Sequence, residues 1–472
     1  MTRGLPKRAP LRYRRAEPVR AADAAADQPR SVRLFAVPRP LRAIVGRMAQ
    51  GDARRLIANA GWLVGDKLMR LGVGMFVLVW IARYLGPADF GLLNYGQALV
   101  IIFTAFAVMG LADIAVRDIV RQPKREQEIV ATALLMRLGG GLIAIMLALA
   151  LVGVARPGDT RALIVVAILA AGLLPQAFDV IDYRFQAHFV VRPVVLLRNG
   201  VFLLFSAAKC AAILLGAPIE AFAALIVLEF AAVASGLLLY ARRRGLSVHP
   251  RCASLAEARR LWHESWPLLL RTLAIAAYMR VDQLVIAAYR DDAAVGIYAA
   301  AIRLPELWYF LPTAVMTAAV PFFTRSYAQS AAVYERAILR VMRPLVWLSI
   351  VVALALSLFA SPIVTLLYGE RYAGAAAVLA VYAWAGVFGT LGQTTNAWLI
   401  NAGLMRHGLY QALAGLVVSI ALNLLLVPRM GVVGAAWSYL AAQAISNVGL
   451  NALMPATRPI FRGQLRTFGL RV

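Results

Sequence analysis

The sequence predicts an all-α, polytopic membrane protein of about twelve spans in two six-helix lobes, and three observations carry that reading. Hydrophobic residues make up 61% of the 472 positions and charged ones 15%, with a mean hydropathy of +0.73, too apolar for an ordinary water-facing surface. The apolar stretches run unbroken for about 20 residues, the length a helix needs to cross hydrocarbon, whereas membrane-barrel strands alternate over about ten. The joining loops are short, and their charge is asymmetric.

In chain order, residues 1–55 hold fourteen Lys or Arg against four acids, scattered among Ala and Pro without an apolar period. That composition predicts a disordered basic tail, and no continuous apolar core precedes residue 56 as a signal peptide would require. Spans are expected at 62–84, 92–112, 129–152, 161–181, 194–215 and 219–240, making an N-lobe over 56–240. A linker at 241–265 carries Arg242, Arg243, Arg244, Arg251, Arg259 and Arg260. A C-lobe over 266–455 follows, with spans at 266–288, 295–320, 341–366, 375–400, 408–427 and 432–454, and then a tail at 456–472.

Alternate loops divide the charge. The set on the side of the tail, with Arg343 and the C-terminal end, carries 21 Lys or Arg, and the opposite set carries six: Arg83, Arg156, Arg161, Arg290, Arg371 and Arg429. Positive charge concentrates on cytoplasmic loops, so both termini are expected in the cytoplasm. The net charge of +26 is then explained by orientation and by attraction to anionic membrane lipids, with no nucleic-acid partner. Cys210 and Cys252 give no disulfide framework, and His188, His249, His263 and His407 stand in loops without metal-ligand spacing, so no metal or cofactor is expected. Outer loops of about ten residues or fewer leave no room for an external catalytic domain, and phosphate-loop, zinc-protease and Ser/His/Asp signatures are absent. An enzyme is not expected.

An internal repeat supports the two lobes. Leu214 begins LLGAPIEAFAALIVLE and Leu426 begins LVPRMGVVGAAWSYLA, each with a Pro-bearing outer turn before a small-residue helix start. GPADFGLLNY from Gly86 finds an echo in RDDAAVGIY from Arg290. Six spans per half bring both halves in from the same side, so the repeat is parallel, an architecture of alternating-access transporters.

Eight bases lie within the spans: Lys67, Arg70, Arg137, Arg198, Lys209, Arg271, Arg280 and Arg303. A charge in hydrocarbon survives chiefly where it faces a bundle interior or a wet cavity, so these side chains are candidates for binding an anion. Asp66, Lys67 and Arg70 fall within about a 100° arc of the first helix. Arg198 and Lys209, eleven residues apart, return to within about 20° of each other at depths roughly 16 Å apart. Arg303 and Glu306 stand at i and i+3, a pairing distance that serves either structure or substrate. Arg271 and Asp282 share a face, with Arg280 nearly opposite Arg271 on a straight helix. The span acids are Asp66, Asp179, Glu229, Asp282 and Glu306, five against eight, which leaves a cationic surplus. For bases near span ends such as Lys67 and Arg271, snorkelling to the interface is the competing reading.

Residues Ala82 to Tyr95, ARYLGPADFGLLNY, and Met109 to Pro123, MGLADIAVRDIVRQP, resemble the Wzx-type oligosaccharide flippases, relatives of the MATE exporters and lipid II flippases, and the likeness runs from about residue 59 to 455. The resemblance implies translocation of an undecaprenyl-diphosphate-linked oligosaccharide to the periplasmic leaflet of the bacterial inner membrane, for surface polysaccharide biosynthesis, with Asp66, Lys67 and Arg70 in contact with substrate. Partners are then a polyprenyl-diphosphate-linked glycan, anionic membrane lipids and other polysaccharide-assembly membrane proteins. Asp66, Asp282 and Glu306 are candidates for ion coupling. Two other readings stay open: a MATE-like, cation-coupled exporter of small molecules, which would need carboxylates in excess, and a non-transporting component or enzyme of polysaccharide assembly.

Overall fold

The computed structural model describes the backbone from Gln50 to Gly469 apart from residues 189–191 and 246–248, and side chains from Met69 onward apart also from Pro321 and Ala331. Two compact units emerge, Met1–Val64 and Gly65–Val472. In the first, the chain is helical from Gln50, and the basic tail expected before that point lies outside the described residues. The rest of the description concerns the second unit.

Every regular element among the described residues is helical. The first half of the chain supplies α1 (Gln50–Val108), α2 (Leu111–Arg121), α3 (Glu126–Ala155), α4 (Thr160–Ala171), α5 (Val180–Ala187), α6 (Arg192–Leu214) and α7 (Ile219–Arg243). The second half supplies α8 (Leu255–Tyr289), α9 (Asp292–Trp308), α10 (Phe310–Gln329), α11 (Ala331–Leu358), α12 (Ala360–Tyr368), α13 (Ala375–Tyr382), α14 (Ala385–Asn401), α15 (Met405–Met430) and α16 (Val432–Ala444), followed by a short C-terminal helix, α17 (Arg458–Thr467). The expected span ranges fall on these helices. Eight helices among the described residues are individually long and apolar enough to cross a membrane, nine if the bent pair Asp292–Gln329 is one span. This is a multi-pass membrane protein. The first of the eight, Met69–Arg121, is 53 residues long and takes in most of the first expected span and all of the second; α8 carries Arg271, Arg280 and Asp282, and α16 passes through a π turn at Ile445–Gly449.

Gly86 is what divides the first helix. Its φ of +73° lies in the left-handed region that side chains disfavour, and Pro87 after it has no N–H to lose at the start of a new helix. The two arms then run side by side, since Gly74 and Val77 of one and Gln97 and Val100 of the other line the same cavity. At the same end, α4 and α9 are started by side-chain caps: Asp159 accepts from the N–H of Ala162 at 2.9 Å and Asp291 from that of Ala294 at 2.8 Å. This end, remote from the arginine-rich loops, is termed outer below.

The halves are joined unequally. At the outer end one continuous apolar cluster runs through both, from Ile81, Phe90 and Leu93 to Tyr298, Tyr372 and Val378. At the inner end the packing separates into three clusters. One lies inside the first half around Phe185 and Leu237, one inside the second around Phe323 and Met342, and one where Leu261 and Leu269 of α8 rest on Leu111 and Ile129.

The outer joint is made by two glycines. A Cβ on Gly91 would stand 1.7 Å from the carbonyl oxygen of Asp292, and one on Gly296 would stand 2.0 Å from that of Pro87. The two contacts are reciprocal, each partner lying 205 positions from its counterpart, within the two stretches that begin at Gly86 and Arg290 and echo each other in sequence. Around them Arg156 holds Asp292 at 2.5 Å and lies 4.2 Å over the ring of Tyr95. Arg83 donates to the carbonyls of Leu366 and Leu367 at the end of α12, and Tyr372 donates to Ala82 at 2.7 Å. The inner tie is ionic instead. Arg117, Arg125 and Arg260 meet Asp118, Glu257 and Glu264, with Arg117 to Glu264 at 2.6 Å and Arg125 to Glu257 at 2.9 Å. The Arg117 hydrogen bond holds the Glu264 carboxyl below its usual range. The Arg117–Glu264 pair is therefore ionised at neutral pH, and it weakens as falling pH protonates Glu264 through that lowered range.

Candidate functional site

Each half encloses its own cavity. The first, of about 500 Å³, lies between α1, α4, α6 and α7 and is walled mainly by aliphatic and aromatic side chains such as Leu78, Ile101, Phe202, Phe222 and Phe230. Its polar groups are few: Asn94, Gln97, Gln176 and Lys209 among them. Toward the inner side a smaller space of about 140 Å³ adjoins it, sharing Gln176 and Phe230 and adding Arg70, Asp179, Arg198 and Glu229.

The charges of this half have partners. Arg198 reaches Asp179 at 2.9 Å and Asp182 at 3.1 Å, and Lys209 reaches Glu229 at 2.7 Å. Arg70 donates to Asn199 at 2.7 Å and lies 5.1 Å over the Phe202 ring. Arg137 is 2% exposed and stands outside both cavities. Its guanidinium donates to the carbonyls of Ala107 and Gln176 and to the Tyr183 hydroxyl, bracing three segments. Such a saturated cation is bound to the protein itself, since a guanidinium in that position has few donors left for a ligand. The side chains of Asp66 and Lys67 lie outside those described.

The second cavity, of about 420 Å³, lies between α8, α9, α14, α15 and α16 and is the more polar of the two. Amides from Gln393, Asn396, Gln411, Gln443 and Asn447 share its wall with Tyr278, Tyr309 and Tyr439. Tyr382 and Tyr439 stack at 4.5 Å with planes 6° apart, Tyr278 lies against Tyr439 at 5.7 Å, and Tyr298 meets Tyr382 edge-on at 6.2 Å. This ladder of rings is the one large feature that span-by-span reading misses. The tyrosines come from four different helices, and only the packing brings them together.

Three of the expected bases stand in or beside this second cavity. Arg280 and Arg303 share Glu306, at 2.9 and 3.4 Å, and Arg303 also donates to Asn94 of the first half at 2.7 Å. Arg271 differs: its nearest polar partner is the neutral Asn396, at 3.3 Å, and its Nε is buried without a hydrogen bond. No acid pairs with Arg271 among the described residues. Asp282 is 1% exposed and lies off the cavity, accepting from the Tyr298 hydroxyl and from the N–H of Gln283 at 2.8 Å. On each side the bases and acids nearly cancel, and the surplus cation facing the polar cavity is Arg271.

A bundle of bent spans in two repeat-related halves, each hollow and joined at one end by backbone contact, defines the molecule as having a membrane-transporter fold. The chain belongs to the polysaccharide biosynthesis protein family, whose model matches residues 56–327; a second model, MatE, matches residues 267–425. The family is the one indicated by residues 82–95 and 109–123. A search of the curated proteins finds no match. Among solved structures, a multidrug resistance MATE family transporter of the MOP superfamily in an inward-facing conformation gives a TM-score of 0.68 at 16% identity, covering 85% of this chain and 94% of that one. The lipid II flippase MurJ in an inward closed conformation gives 0.67 at 12% identity, over 85% and 90%. An outward-facing MATE family transporter of the same superfamily gives 0.55 at 16% identity, over 86% and 95%.

Proposed function

We propose that this protein moves a polyprenyl-diphosphate-linked glycan from the cytoplasmic to the periplasmic leaflet of a bacterial inner membrane, for surface polysaccharide assembly. Both termini face the cytoplasm, residues 56–240 and 266–455 act as the two moving lobes, and 241–265 links them. The observation that carries this reading is the second cavity, where one unneutralised guanidinium stands among amides and tyrosine rings. Arginine offers a planar fork suited to phosphate oxygens, amides exchange hydrogen bonds with sugar hydroxyls, and ring faces suit the apolar faces of pyranoses. The apolar first cavity gives a place for the hydrocarbon beside the diphosphate.

The route begins at the inner end. The outer cluster and the Gly91–Gly296 contact close the far side, while the inner packing is divided, an arrangement that supports a resting state open to the cytoplasm; the higher TM-scores to inward structures agree with it. Outward movement of a doubly charged diphosphate from a negative interior is favoured by roughly 4–5 kcal/mol at 100 mV. Asp282 is the acid best placed to couple an ion, because Glu306, Asp179 and Glu229 are each held by a base. The same pairing weighs against an exporter of cations, which needs spare carboxylates in its cavity.

Arg271→Ala is expected to lower surface polysaccharide about tenfold to a hundredfold in a strain lacking its own flippase, the effect of losing one or two charge-assisted hydrogen bonds, and Arg271→Lys to lower it less. In proteoliposomes the wild type should move a labelled polyprenyl-diphosphate sugar without converting it, and conversion would point to an enzyme instead. Normal polysaccharide from Arg271→Ala at normal protein levels would overturn the assignment.

A further inference from the structure

The inner end of the second half carries a basic surface that the transport reading does not use. Residues 321–343, 401–407 and 455–469 together hold eight arginines and a single acid, Glu335. Here α17 docks against α11 by burying Ile460, Gly463, Gln464 and Thr467, a stripe at helical spacing. Arg343 donates to the carbonyl of Arg466 at 2.8 Å, and Arg466 pairs with Glu335. The opposite stripe is Arg458, Arg462 and Arg466, at i, i+4 and i+8.

Between α17, α10, α11 and α14 lies a third cavity of about 480 Å³, lined by Tyr327, Tyr334, Glu335, Trp398, Arg462 and Arg466 among others. Glu335 is neutralised by Arg466, and Arg462 is exposed and has no partner among the described residues. The lining thus carries one uncompensated positive charge, with the exposed Tyr327 and the half-buried Trp398 beside it, residue types that favour the level of lipid headgroups. Leu453, just before the C-terminal helix, is 73% exposed, and Phe468 at its end is 39% exposed. Apolar side chains beside a stripe of arginines on a short amphipathic helix are the composition of an element lying in the membrane interface.

We infer that this cavity is a binding site for one anionic phospholipid, its phosphodiester between Arg462 and Arg466 and its acyl chains along Leu453 and Phe468. A soluble anion would need no apolar flank, whereas a lipid of the arginine-rich leaflet uses both halves of the surface. The lipid would fasten the C-terminal helix to α11 and α14, and so brace the inner end of the second half. This proposal is independent of which glycan, if any, the protein carries.

The test uses the full-length protein in nanodiscs of phosphatidylethanolamine doped with brominated phosphatidylglycerol. Bromine should quench Trp398, read as the difference between the wild type and Trp398→Phe, at low mole fractions of the anionic lipid. Arg462→Ala should require about fivefold more phosphatidylglycerol for half quenching, and Arg462→Glu about twenty-fivefold more, from the attraction lost per charge near a membrane surface. Native mass spectrometry of the same proteins should find one retained anionic lipid in the wild type and none in Arg462→Glu. Because Arg462 is exposed and has no hydrogen bond or ion pair among the described residues, its loss should leave the fold intact, and Arg458→Ala, outside the cavity, should behave as the wild type. Equal quenching by brominated phosphatidylethanolamine, an unchanged titration in Arg462→Glu, or displacement by millimolar inorganic phosphate would each overturn the proposal.

Discussion

The first and second cavities, one in each half, differ in whether their charges already have partners. In the first half, Arg198 and Lys209 are answered by Asp179, Asp182 and Glu229, Arg70 is engaged by Asn199 and the Phe202 ring, and the wall is mainly apolar with a few amides. In the second, Glu306 answers Arg280 and Arg303, while Arg271 has only an amide beside it. An ion pair in a membrane interior limits the cost of its own burial and leaves little field for a ligand, whereas a lone cation keeps that field. Under the proposed function, the contrast separates charges that hold the bundle together from Arg271, the one offered to a ligand.

The sharpest way to break the contrast is to give Arg271 the acid it lacks. Asn396→Asp is expected to form an ion pair with it and to lower glycan export about tenfold or more in the complementation assay, as Arg271→Ala does, although no cation has been removed. Export at the wild-type rate from Asn396→Asp would mean that the surplus charge is not what the cavity uses.

The converse change acts on stability. Glu229→Gln leaves Lys209 without its partner and should lower unfolding stability in detergent by about 2 kcal/mol, less than for a fully buried pair because both groups touch the cavity. Exchanging the two as Lys209→Glu with Glu229→Lys should restore most of the loss, whereas a double exchange as unstable as the single would show that the pair is not the cause. A smaller effect is expected at the outer joint. Gly296→Ala sets a methyl group against the Pro87 carbonyl and should part the two helix starts. A membrane-impermeant maleimide added from outside should then label Gln97→Cys severalfold faster, in a background without Cys210 and Cys252. Unchanged labelling would place the closing contact elsewhere.

The all-helical membrane architecture was legible because hydropathy over about 20 residues reports helices directly, although only eight or nine helices among the described residues are long and apolar enough to cross a membrane where twelve spans were expected. The list of charged candidates was legible for the same reason, since a base inside an apolar run stands out. Their pairing was not, except for Arg303 with Glu306, the local i, i+3 pair. Lys209 with Glu229 and Arg280 with Glu306 join different helices, and helical phase within one segment does not fix which face of another it meets. The tyrosine ladder was hidden on the same grounds. The C-terminal helix could have been read, because Ile460, Gly463, Gln464 and Thr467 repeat at three- and four-residue steps inside what composition alone marks as a tail.

The reciprocal approach of Gly91 and Gly296 is a meeting of main chains, so it asks nothing of side chains except that two of them be missing. The latch and the lining are consequently written in different parts of the molecule. On the proposed reading, side chains around the second cavity could change with the cargo while Gly91 and Gly296, which are no part of its wall, stay as they are.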